Sequence, residues 1–407
     1  MLPSMIRRML KRGNFRRNLG QRFGFFSVEF ESILRGQKVI WLQSVSVGET
    51  HVALRLAREW IVKDPKIHAV ISVTTSTGFD VAAQNATSQI HVIYNPIDLP
   101  SIVGRTLNVL RPASLILVEN TWPVLLVESW KRSITVSLIA RLSPRSSRRF
   151  LRFRNFTGPI FALLDAVFVQ EPEDVELWTR LGAHVSAIHC TGAIKYDEPP
   201  VPVTRRADFE LILRECGVSE SSSILLAGST FPGEELAMAK IFLDLSKAIP
   251  SLFLILVPRH VERTPEILAE LSALPLKVAR RSSLQQKKSD LLLVDTTGEL
   301  QGWYAFATVV FIGKSLMSTG GQNPVEPALL GKPIIFGPHM ENFAPIVRQW
   351  LADEAAIQVA DESELRVQIE WLLKNSEARE RLVTQSGRAV AVHFGATSRV
   401  LNHLKTL

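Results

Sequence analysis

Residues 38–61 read KVIWLQSVSVGETHVALRLAREWI and contain the strand–loop–helix junction on which the fold prediction rests. The first part, KVIWLQS, is apolar and β-prone, which predicts a buried strand. The last part has apolar residues at helical spacing, which predicts a helix after a short loop. Glu49 falls where that helix begins, and a carboxylate there complements the positive end of the helix dipole. The same carboxylate is also a candidate base held at the end of a strand.

The pattern of this junction recurs along the chain. Apolar, β-prone runs predict strands at 38–44, 68–74, 90–94, 114–119, 134–139, 166–170 and 186–190, and again at 223–229, 252–258, 290–295, 308–313 and 332–337. Helical patterns between several of these runs predict parallel sheets with helices on both faces. The proline-rich segment 197–206 separates the two series and is predicted to be a linker. We therefore predict an α/β fold of two Rossmann-like domains facing each other across a cleft, with ligands at the carboxyl ends of strands.

Length and composition agree with two globular domains. The chain has 407 residues, more than one average domain, and its apolar content of 46% is enough for two cores. Cys190 and Cys216 have no metal-binding or redox spacing, which favours a reducing compartment. No run of roughly 18 apolar residues and no secretory signal pattern occurs, so we expect a cytoplasmic protein.

Several catalytic signatures are absent from the sequence. There is no GxxxxGK[ST] phosphate loop, no HExxH, no GxSxG elbow and no GxGxxG after the first strand. Hydrolysis of NTP by a P-loop, zinc proteolysis and serine hydrolysis therefore lose support. Aspartate pairs of the DxD type, which would hold a nucleotide diphosphate through a metal, are also missing.

The basic excess belongs to the first half of the chain. Residues 1–200 hold 25 Lys and Arg against 16 Asp and Glu, a net of +9, whereas the whole chain is +8. Two segments, 1–26 and 141–154, are rich in basic residues and contain no Asp or Glu. A solvated surface would explain one such cluster. Two of them predict an anionic partner: lipid phosphates, a membrane surface or nucleic acid.

The first basic cluster also contains an apolar stripe at helical spacing, which consists of Leu2, Met5, Ile6, Met9 and Leu10. This predicts either a short helix lying in a membrane interface or a terminal helix packed on its own domain. Few tyrosines occur, and no aromatic residues are spaced as stacking platforms beside the two basic clusters, which argues against nucleic acid.

Two loops that follow strands of the second half are suited to bind an anion. The segment AGST, residues 227–230, offers backbone N–H groups and the hydroxyls of Ser229 and Thr230. The segment LVPRH places Arg259 directly after a strand, where a guanidinium can meet a phosphate.

A third loop of this kind has the sequence STGGQNPVEPA. Gly320 and Gly321 allow the backbone to approach a ligand closely. Asn323 is a good N-cap and Pro324 a good first helical residue, so a helix is predicted to begin there with its N–H groups available to a phosphate. Glu326, in the first turn, can accept hydrogen bonds from ribose hydroxyls. Three such loops on one sheet predict a nucleotide site.

The sequence resembles the Kdo transferases of lipopolysaccharide assembly, which move 3-deoxy-D-manno-octulosonic acid (Kdo) from CMP-Kdo to lipid A precursor. Thirteen segments occur in the family's order: RRNLGQRFGF, SVSVGE, TTSTG, NPIDLP, RPASLILVEN followed by TWP, ARLSPRS, GAIKYD, AGSTFPGEE, LILVPRHVER, DTTGEL, FIGKSL, GGQNPVEPA and GPHMENF. The resemblance implies a GT-B glycosyltransferase that inverts the anomeric carbon and needs no metal or other cofactor. It also implies an acceptor domain (1–196), a linker (197–206) and a CMP-sugar donor domain (207–407), whose last helix is a candidate for packing back on the first domain.

The resemblance assigns roles to three residues of the first half. Glu49 matches the catalytic base, which agrees with the need to take a proton from a poorly nucleophilic sugar hydroxyl. Lys195 of GAIKYD matches a lysine suited to stabilise negative charge on the donor or the departing CMP, although an exposed lysine beside a linker is the simpler interpretation. Glu119 matches the first acid of the family's ETELWPN stretch.

The resemblance also indicates which residues contact the substrates. The candidates for CMP are Pro258, Arg259, Gly298, Glu299, Leu300, Asn323, Pro324, Val325 and Glu326, together with Ser229, Thr230, Gly320 and Gly321 from the loops above. The candidates for the acceptor or the membrane are Ser46, Gly48, Arg141, Arg145, Arg148 and Arg149.

The sequence departs from the family on the acceptor side. ENTWPV is one residue short of the family stretch, Ile139 replaces Asn in NAR, and GAIKYD replaces GNxKFD. Most members begin with a hydrophobic anchor, which residues 1–26 do not provide, so we expect peripheral association with the cytoplasmic face of the bacterial inner membrane. Another GT-B enzyme, such as a UDP-sugar transferase or epimerase, and a non-catalytic nucleotide- or nucleic-acid-binding protein stay open as alternatives.

Overall fold

A computed structural model describes residues 17–119, 122–142, 144–197, 206–283 and 288–406. The chain divides into two compact units, Met1–Asp197 with His393–Leu407, and Glu198–Val392. The apolar stripe predicted near the N-terminus and most of the predicted linker lie outside the described residues. Among the helices that are described, none combines the length and the apolar character needed to cross a bilayer.

The first unit contains a seven-stranded parallel sheet. Its strand order is β3-β2-β1-β4-β5-β6-β7, so the direction of strand addition reverses between β1 and β4. Ligands of open α/β sheets bind beside such a reversal. The strands are β1 (Lys38–Gln43), β2 (Ile67–Val73), β3 (Ile90–Tyr94), β4 (Ser114–Val118), β5 (Thr135–Ile139), β6 (Ala166–Val169) and β7 (Ile188–Cys190).

The second unit contains another seven-stranded parallel sheet, in the order β10-β11-β9-β8-β12-β13-β14. The prediction of two parallel α/β domains is therefore confirmed. The short strands β10 and β14, at the two borders of this sheet, are not among the predicted strands. The strands are β8 (Ser223–Thr230), β9 (Leu252–Pro258), β10 (Val278–Arg280), β11 (Leu291–Leu293), β12 (Val309–Ile312), β13 (Ile334–Phe336) and β14 (Ile357–Gln358).

Helices cover the sheets. In the first unit they are α1 (Leu19–Arg22), α2 (Val28–Leu34), α3 (Val47–Lys63), α4 (Ser76–Gln84), α5 (Pro100–Leu110), α6 (Pro123–Trp130), α7 (Pro144–Arg152), α8 (Arg154–Phe161), α9 (Glu173–Leu181) and α18 (Ala396–Leu404). In the second unit they are α10 (Arg206–Glu215), α11 (Glu234–Ser246), α12 (Thr264–Leu271), α13 (Leu300–Tyr304), α14 (Val325–Leu329), α15 (Ala344–Ala352), α16 (Glu362–Lys374) and α17 (Ser376–Ala391).

Alternate residues of β1 show why a continuous apolar run was the signal for this fold. Ile40 and Leu42 belong to a core that also contains side chains of α3 and α18. Val39 and Trp41 belong to the core on the opposite face, with side chains of α5 and α6. A strand that is buried on both faces needs apolar residues at every position. The carboxyl end of β1 is thereby fixed between two layers of helices.

Candidate active site

Glu49 is held in the first turn of α3, just after β1. Ser46 is the N-cap of this helix, and its hydroxyl accepts a hydrogen bond from Glu49 N at 3.4 Å. The carboxylate accepts from Val45 N at 2.6 Å and from Ser46 Oγ at 3.0 Å, and the residue is 8% exposed. This arrangement is a variant of the capping box, in which the helix start and the glutamate fix each other. The carboxylate therefore has one defined orientation at the carboxyl end of β1.

Glu119 and Arg141 lie at the same edge of the sheet. Glu119 directly follows β4, the neighbour of β1, and Arg141 follows β5, the neighbour of β4. The φ angle of Glu119 is 57°, a left-handed conformation that is unfavourable for a residue with a side chain. Its Oε2 lies 3.6 Å from Arg141 Nη1. Asn120 and Thr121, in the stretch where the sequence departs from the family, lie outside the described residues.

Lys195 lies on a one-turn 3₁₀ helix, Ile194–Tyr196, that follows β7. Lys195 is exposed, and its Nζ lies 5.7 Å from the centroid of the Tyr196 ring. Burial raises the pKa of Tyr196 to about 12, with Glu119 adding to the rise and Arg141 opposing it. The turn also packs against α3, the helix that begins beside Glu49. Each of the three predicted catalytic residues thus follows the carboxyl end of a strand of the first sheet.

The remaining acceptor and membrane candidates divide between two places. Ser46 and Gly48 are exposed beside Glu49. Arg148 and Arg149 are exposed on α7, whereas the side chain of Arg145 lies outside what the structure describes. Just after these arginines, two large aromatic side chains that the sequence analysis did not select are also exposed: Phe153 at 51% and Phe156 at 78%.

In the second unit, the predicted nucleotide-binding residues lie at the carboxyl ends of four adjacent strands, β11, β9, β8 and β12. Ser229 is at a bulge near the end of β8, with a φ angle of 56°. Thr230 is fully buried, and its hydroxyl donates to Glu235 Oε1 at 2.8 Å. The sequence predicts that this hydroxyl donates to an anionic ligand. The structure instead commits its proton to Glu235.

Glu234 connects two loops at this edge, a role that the sequence does not predict. Its carboxylate is fully buried and accepts four backbone hydrogen bonds, from Phe231 N (2.9 Å), Lys314 N (2.7 Å), Ser315 N (3.0 Å) and Leu316 N (3.1 Å). Burial raises the pKa of Glu234, and the four N–H donors oppose the rise. The carboxylate joins the loops after β8 and β12. Two acids at the start of a helix are ordinary in a sequence, so nothing local indicated that this one is buried.

Pro258 and Arg259 are placed as the sequence predicted, next to the end of β8. Pro258 is the last residue of β9 and is buried. The backbone N–H of Arg259 donates to Thr230 O at 3.1 Å, while its side chain is exposed. The guanidinium is therefore accessible from solvent at the edge that carries Ser229.

The segment Gly298, Glu299 and Leu300 lies between β11 and α13, and Leu300 begins that helix. The carboxylate of Glu299 accepts from Arg281 Nε and Nη2, both at 2.9 Å, and from Thr296 Oγ1 at 2.7 Å. Its side chain is thus engaged within the loop.

Gly320 and Gly321 both have positive φ angles, 112° and 67°. A Cβ on Gly320 would lie 2.7 Å from Asn342 Nδ2, and one on Gly321 would lie 2.4 Å from Met340 Sδ. The sequence predicts that the backbone at both glycines approaches a ligand closely. In the structure, side chains of the protein itself occupy that space, so the glycines shape the loop.

The helix predicted at Asn323 is present but short. It comprises Val325–Leu329, with Pro324 rather than Asn323 at the N-cap position. Asn323 Oδ1 accepts from Val325 N at 3.1 Å, and Asn323 Nδ2 donates to Glu326 Oε1 at 2.9 Å. Asn323 and Glu326 are half-buried and orient each other.

Within the described part of the chain, no group of three or more His, Cys, Asp or Glu side chains is arranged to hold a metal ion.

Comparisons with known proteins identify the family. A family model described as 3-deoxy-D-manno-octulosonic-acid transferase (kdotransferase) matches residues 17–198. The 3-deoxy-D-manno-octulosonic acid transferase of Haemophilus influenzae is 29% identical over 97% of this chain and 92% of that protein. The enzyme of the same name from Bordetella pertussis is 31% identical over 90% of this chain and 86% of its own length. The chain belongs to the 3-deoxy-D-manno-octulosonic acid transferase family. This Kdo transferase is therefore a glycosyltransferase, and the resemblance carried by the thirteen segments is confirmed.

Solved structures agree on the fold of this Kdo transferase. UDP-GlcNAc 2-epimerase from Neisseria meningitidis matches with a TM-score of 0.62 at 14% identity, over 91% of this chain and all of that one. A glycosyltransferase from Rickettsia africae matches with a TM-score of 0.58 at 11% identity, over 91% of this chain and 98% of that one. At such identities the likeness concerns the fold alone, which is of the GT-B class.

Proposed function

We propose that this Kdo transferase moves Kdo from CMP-Kdo to a sugar hydroxyl of lipid A precursor, with inversion at the anomeric carbon. The observation that carries the proposal is the 31% identity with the Bordetella pertussis Kdo transferase over 90% of the chain. The placement of Glu49, Glu119 and Lys195 at one edge of the first sheet supports it.

In this mechanism Glu49 is the general base. The acceptor hydroxyl donates to the Glu49 carboxylate, whose orientation is set by Val45 N–H and Ser46 Oγ–H. As the acceptor oxygen forms its bond to the anomeric carbon, the proton passes to Glu49 and the bond to CMP breaks. The bonding electrons of the broken bond leave with the CMP phosphate. A fixed carboxylate reduces the entropy that is lost on reaching this geometry.

The charges that change during transfer need stabilisation. Lys195 is assigned to the negative charge of the donor or of the departing CMP, since its ammonium is exposed at the edge that carries Glu49. In the second unit, Arg259 is assigned to the phosphate of CMP and Glu326 to its ribose hydroxyls. Two observations support this assignment. The guanidinium of Arg259 is exposed at the end of β9, and the carboxylate of Glu326 is oriented by Asn323. No metal ion is assigned a role.

The protein is proposed to work on the cytoplasmic face of the inner membrane as a peripheral protein. A phosphorylated glycolipid acceptor would require the first unit to reach an anionic interface. Arg148 and Arg149, followed by the exposed rings of Phe153 and Phe156, provide basic and apolar contacts close together in the chain. Basic residues contribute about 1 kcal/mol each near such a surface.

Mass spectrometry of lipid A precursor incubated with CMP-Kdo and the purified protein tests the proposal. We expect the precursor to gain the mass of one or more Kdo residues, and the gain to disappear when CMP-Kdo is omitted. An unchanged precursor mass with an active donor preparation would overturn the proposed function. Calorimetry with CMP and UDP separates the alternative, because a UDP-sugar enzyme would bind UDP more tightly than CMP.

A further inference from the structure

Lys195 lies in the middle of a loop whose other residues are mostly buried. We call residues 191–197 the lysine loop. Within it, Ile194 and Tyr196 on either side of Lys195 are only 3% and 8% exposed. The exposed side chain of Lys195 therefore extends from a buried segment of backbone. Contacts that fix this backbone also limit the positions that the ammonium can take.

Asp197, at the end of the lysine loop, caps the last helix of the chain. Its carboxylate accepts hydrogen bonds from Gly395 N at 2.5 Å and from Thr397 N at 2.7 Å. The N-cap residue of α18 is Gly395, which has no side chain to satisfy the first N–H groups of the helix. An N-cap carboxylate normally comes from the residue next to the helix. Here it comes from a residue 198 positions earlier.

The beginning and the middle of the lysine loop are held by the same C-terminal segment. Arg399 Nε donates to Thr191 O at 2.9 Å. The backbone N–H of Ala193 donates to His393 Nδ1 at 3.3 Å, and His393 is 2% exposed. Residues 393–399 thus hydrogen-bond to the lysine loop on both sides of its 3₁₀ turn, at Thr191 and Ala193 before it and at Asp197 after it.

Apolar packing connects this arrangement to Glu49. The turn Ile194–Tyr196 packs against α3, and α18 packs against α3 as well. Ile194 belongs to the same buried cluster as Val52 of α3 and Leu401 of α18. The helix that starts beside Glu49, the turn that carries Lys195 and the C-terminal helix therefore share one core.

We propose that Asp197 and Arg399 are positioning residues for Lys195, and that residues 393–399 fix where its ammonium lies during Kdo transfer. This inference rests on the proposed function. Asp197 and Arg399 act through the backbone of the lysine loop and not on the substrates. A shift of about 1 Å in a catalytic group can reduce the rate by up to roughly 100-fold. Because the negative charge on CMP grows as it departs, a loose lysine loop should lower kcat more than it weakens donor binding.

A double-mutant cycle between positions 197 and 195 tests the proposal. Asp197→Asn keeps the size of the side chain but removes its charge and one of its two acceptor oxygens. We expect it to lower kcat by about tenfold, with the KM for CMP-Kdo within about twofold of wild type. In a Lys195→Ala background, the same change should alter kcat by less than about twofold, because two residues that act through one step are not additive. Arg399→Lys, which lacks the Nε donor, should behave in the same way.

Asp361→Asn is the matched control. Asp361 caps α16 in the second unit by accepting from Glu364 N at 2.9 Å, so its loss removes a cap of the same kind elsewhere. It should lower Tm without any coupling to Lys195. If Asp197→Asn and Arg399→Lys lower kcat equally with and without Lys195, or if Lys195→Ala transfers Kdo at the wild-type rate, the positioning role is wrong.

Hydrogen exchange of residues 191–197 gives a second readout that does not depend on activity. Asp197→Asn and Arg399→Lys should accelerate exchange in the lysine loop about tenfold or more, and Asp361→Asn should leave it unchanged. An unchanged exchange rate in both variants would overturn the inference even if transfer is normal. If the wild-type protein transfers no Kdo, the proposed function is wrong, and the exchange experiment still decides whether residues 393–399 hold the loop.

Discussion

Ser46 and Glu49 orient each other at the start of α3: the Ser46 hydroxyl accepts from Glu49 N at 3.4 Å and donates to Glu49 Oε1 at 3.0 Å. This relationship gives Glu49 two roles that a sequence cannot separate. It is part of a helix cap, and it is the proposed base. Substitutions at the two positions separate these roles, because only one of them removes the proton acceptor.

Glu49→Gln should keep CMP affinity and lose Kdo transfer by about 100-fold or more, because an amide cannot accept the proton of the acceptor hydroxyl. The Gln side chain can still accept one of the hydrogen bonds that Val45 N and Ser46 Oγ donate, so the fold should persist. Steady-state transfer, CMP calorimetry and Tm measure the three quantities.

Ser46→Ala is the control for the helix cap. It removes the cap and should lower the free energy of unfolding by about 1 kcal/mol. Its transfer rate should fall far less than that of Glu49→Gln. A Glu49→Gln variant with near-normal turnover would show that Glu49 is a capping residue only.

The donor assignment is tested at Arg259 and Glu326. Each change to Ala should weaken CMP binding by roughly 1–3 kcal/mol, since each removes one charge-assisted contact. Calorimetric titration with CMP measures the loss. Glu262→Ala, at a neighbouring side chain that is 74% exposed, is the matched control and should leave CMP affinity unchanged. Unchanged affinity in both Arg259→Ala and Glu326→Ala would place the nucleotide elsewhere.

The long central strands could be predicted because burial on both faces leaves a continuous apolar run. The border strands β10 and β14 could not. Val278–Arg280 and Ile357–Gln358 are only three and two residues long, and each ends in an exposed polar residue. Too few apolar positions remain for such strands to stand out from loops.

Candidate site residues could be predicted from the sequence when they lie within a few positions of the strand that they follow. Glu49 and Arg259 follow their strands within a few residues, so the pattern located both. Glu234 could not be recognised, because its four donors come from two separate loops and only tertiary structure brings them together. Asp197 and Gly395 are joined across 198 positions, and no local pattern in a sequence reports such a contact.

Glu171 Oε1 lies 3.8 Å from His393 Nε2, and the shifted pKa values of these two residues predict how stability depends on pH. Burial lowers the pKa of His393 to about 4, with Arg399 adding to the effect and Asp197 opposing it. Unfolded His titrates near 6.5. The unfolded chain therefore binds the proton more readily, and His393 should make stability fall as pH decreases from about 6.5 to about 4.

Burial raises the pKa of Glu171 to about 7, with Asp174 and Glu173 adding to the rise. Glu171 should therefore make stability rise as pH decreases from about 7 towards 4.5.

Because the two contributions have opposite signs, variants must separate them. His393→Asn keeps an acceptor for Ala193 N and should lose less stability than wild type between pH 6.5 and 5. Glu171→Gln should lose more than wild type between pH 7 and 5. Urea unfolding at pH 8, 6.5 and 5 measures both differences. Parallel pH dependence in all three proteins would show that neither group changes its pKa on folding.

The last prediction concerns the proposed membrane surface of the first unit. Phe153→Ser together with Phe156→Ser should reduce cosedimentation with anionic vesicles, because each ring that leaves water contributes roughly 1.5–3 kcal/mol. Deletion of residues 1–12, with the predicted apolar stripe, should reduce it as well. Binding should weaken with added salt, since basic residues such as Arg148 and Arg149 are attracted to the anionic lipids.

Trp371→Ser is the matched control for the loss of an exposed aromatic ring. Trp371 is 42% exposed on α16 in the second unit, and its change should leave vesicle binding intact. CMP affinity should stay at the wild-type value in all of these proteins, because the nucleotide is assigned to other residues. If the full-length protein ignores anionic vesicles at low salt, the peripheral location is wrong. If it binds them and only the deletion weakens binding, Phe153 and Phe156 do not enter the interface and the contact belongs to the N-terminal stripe alone.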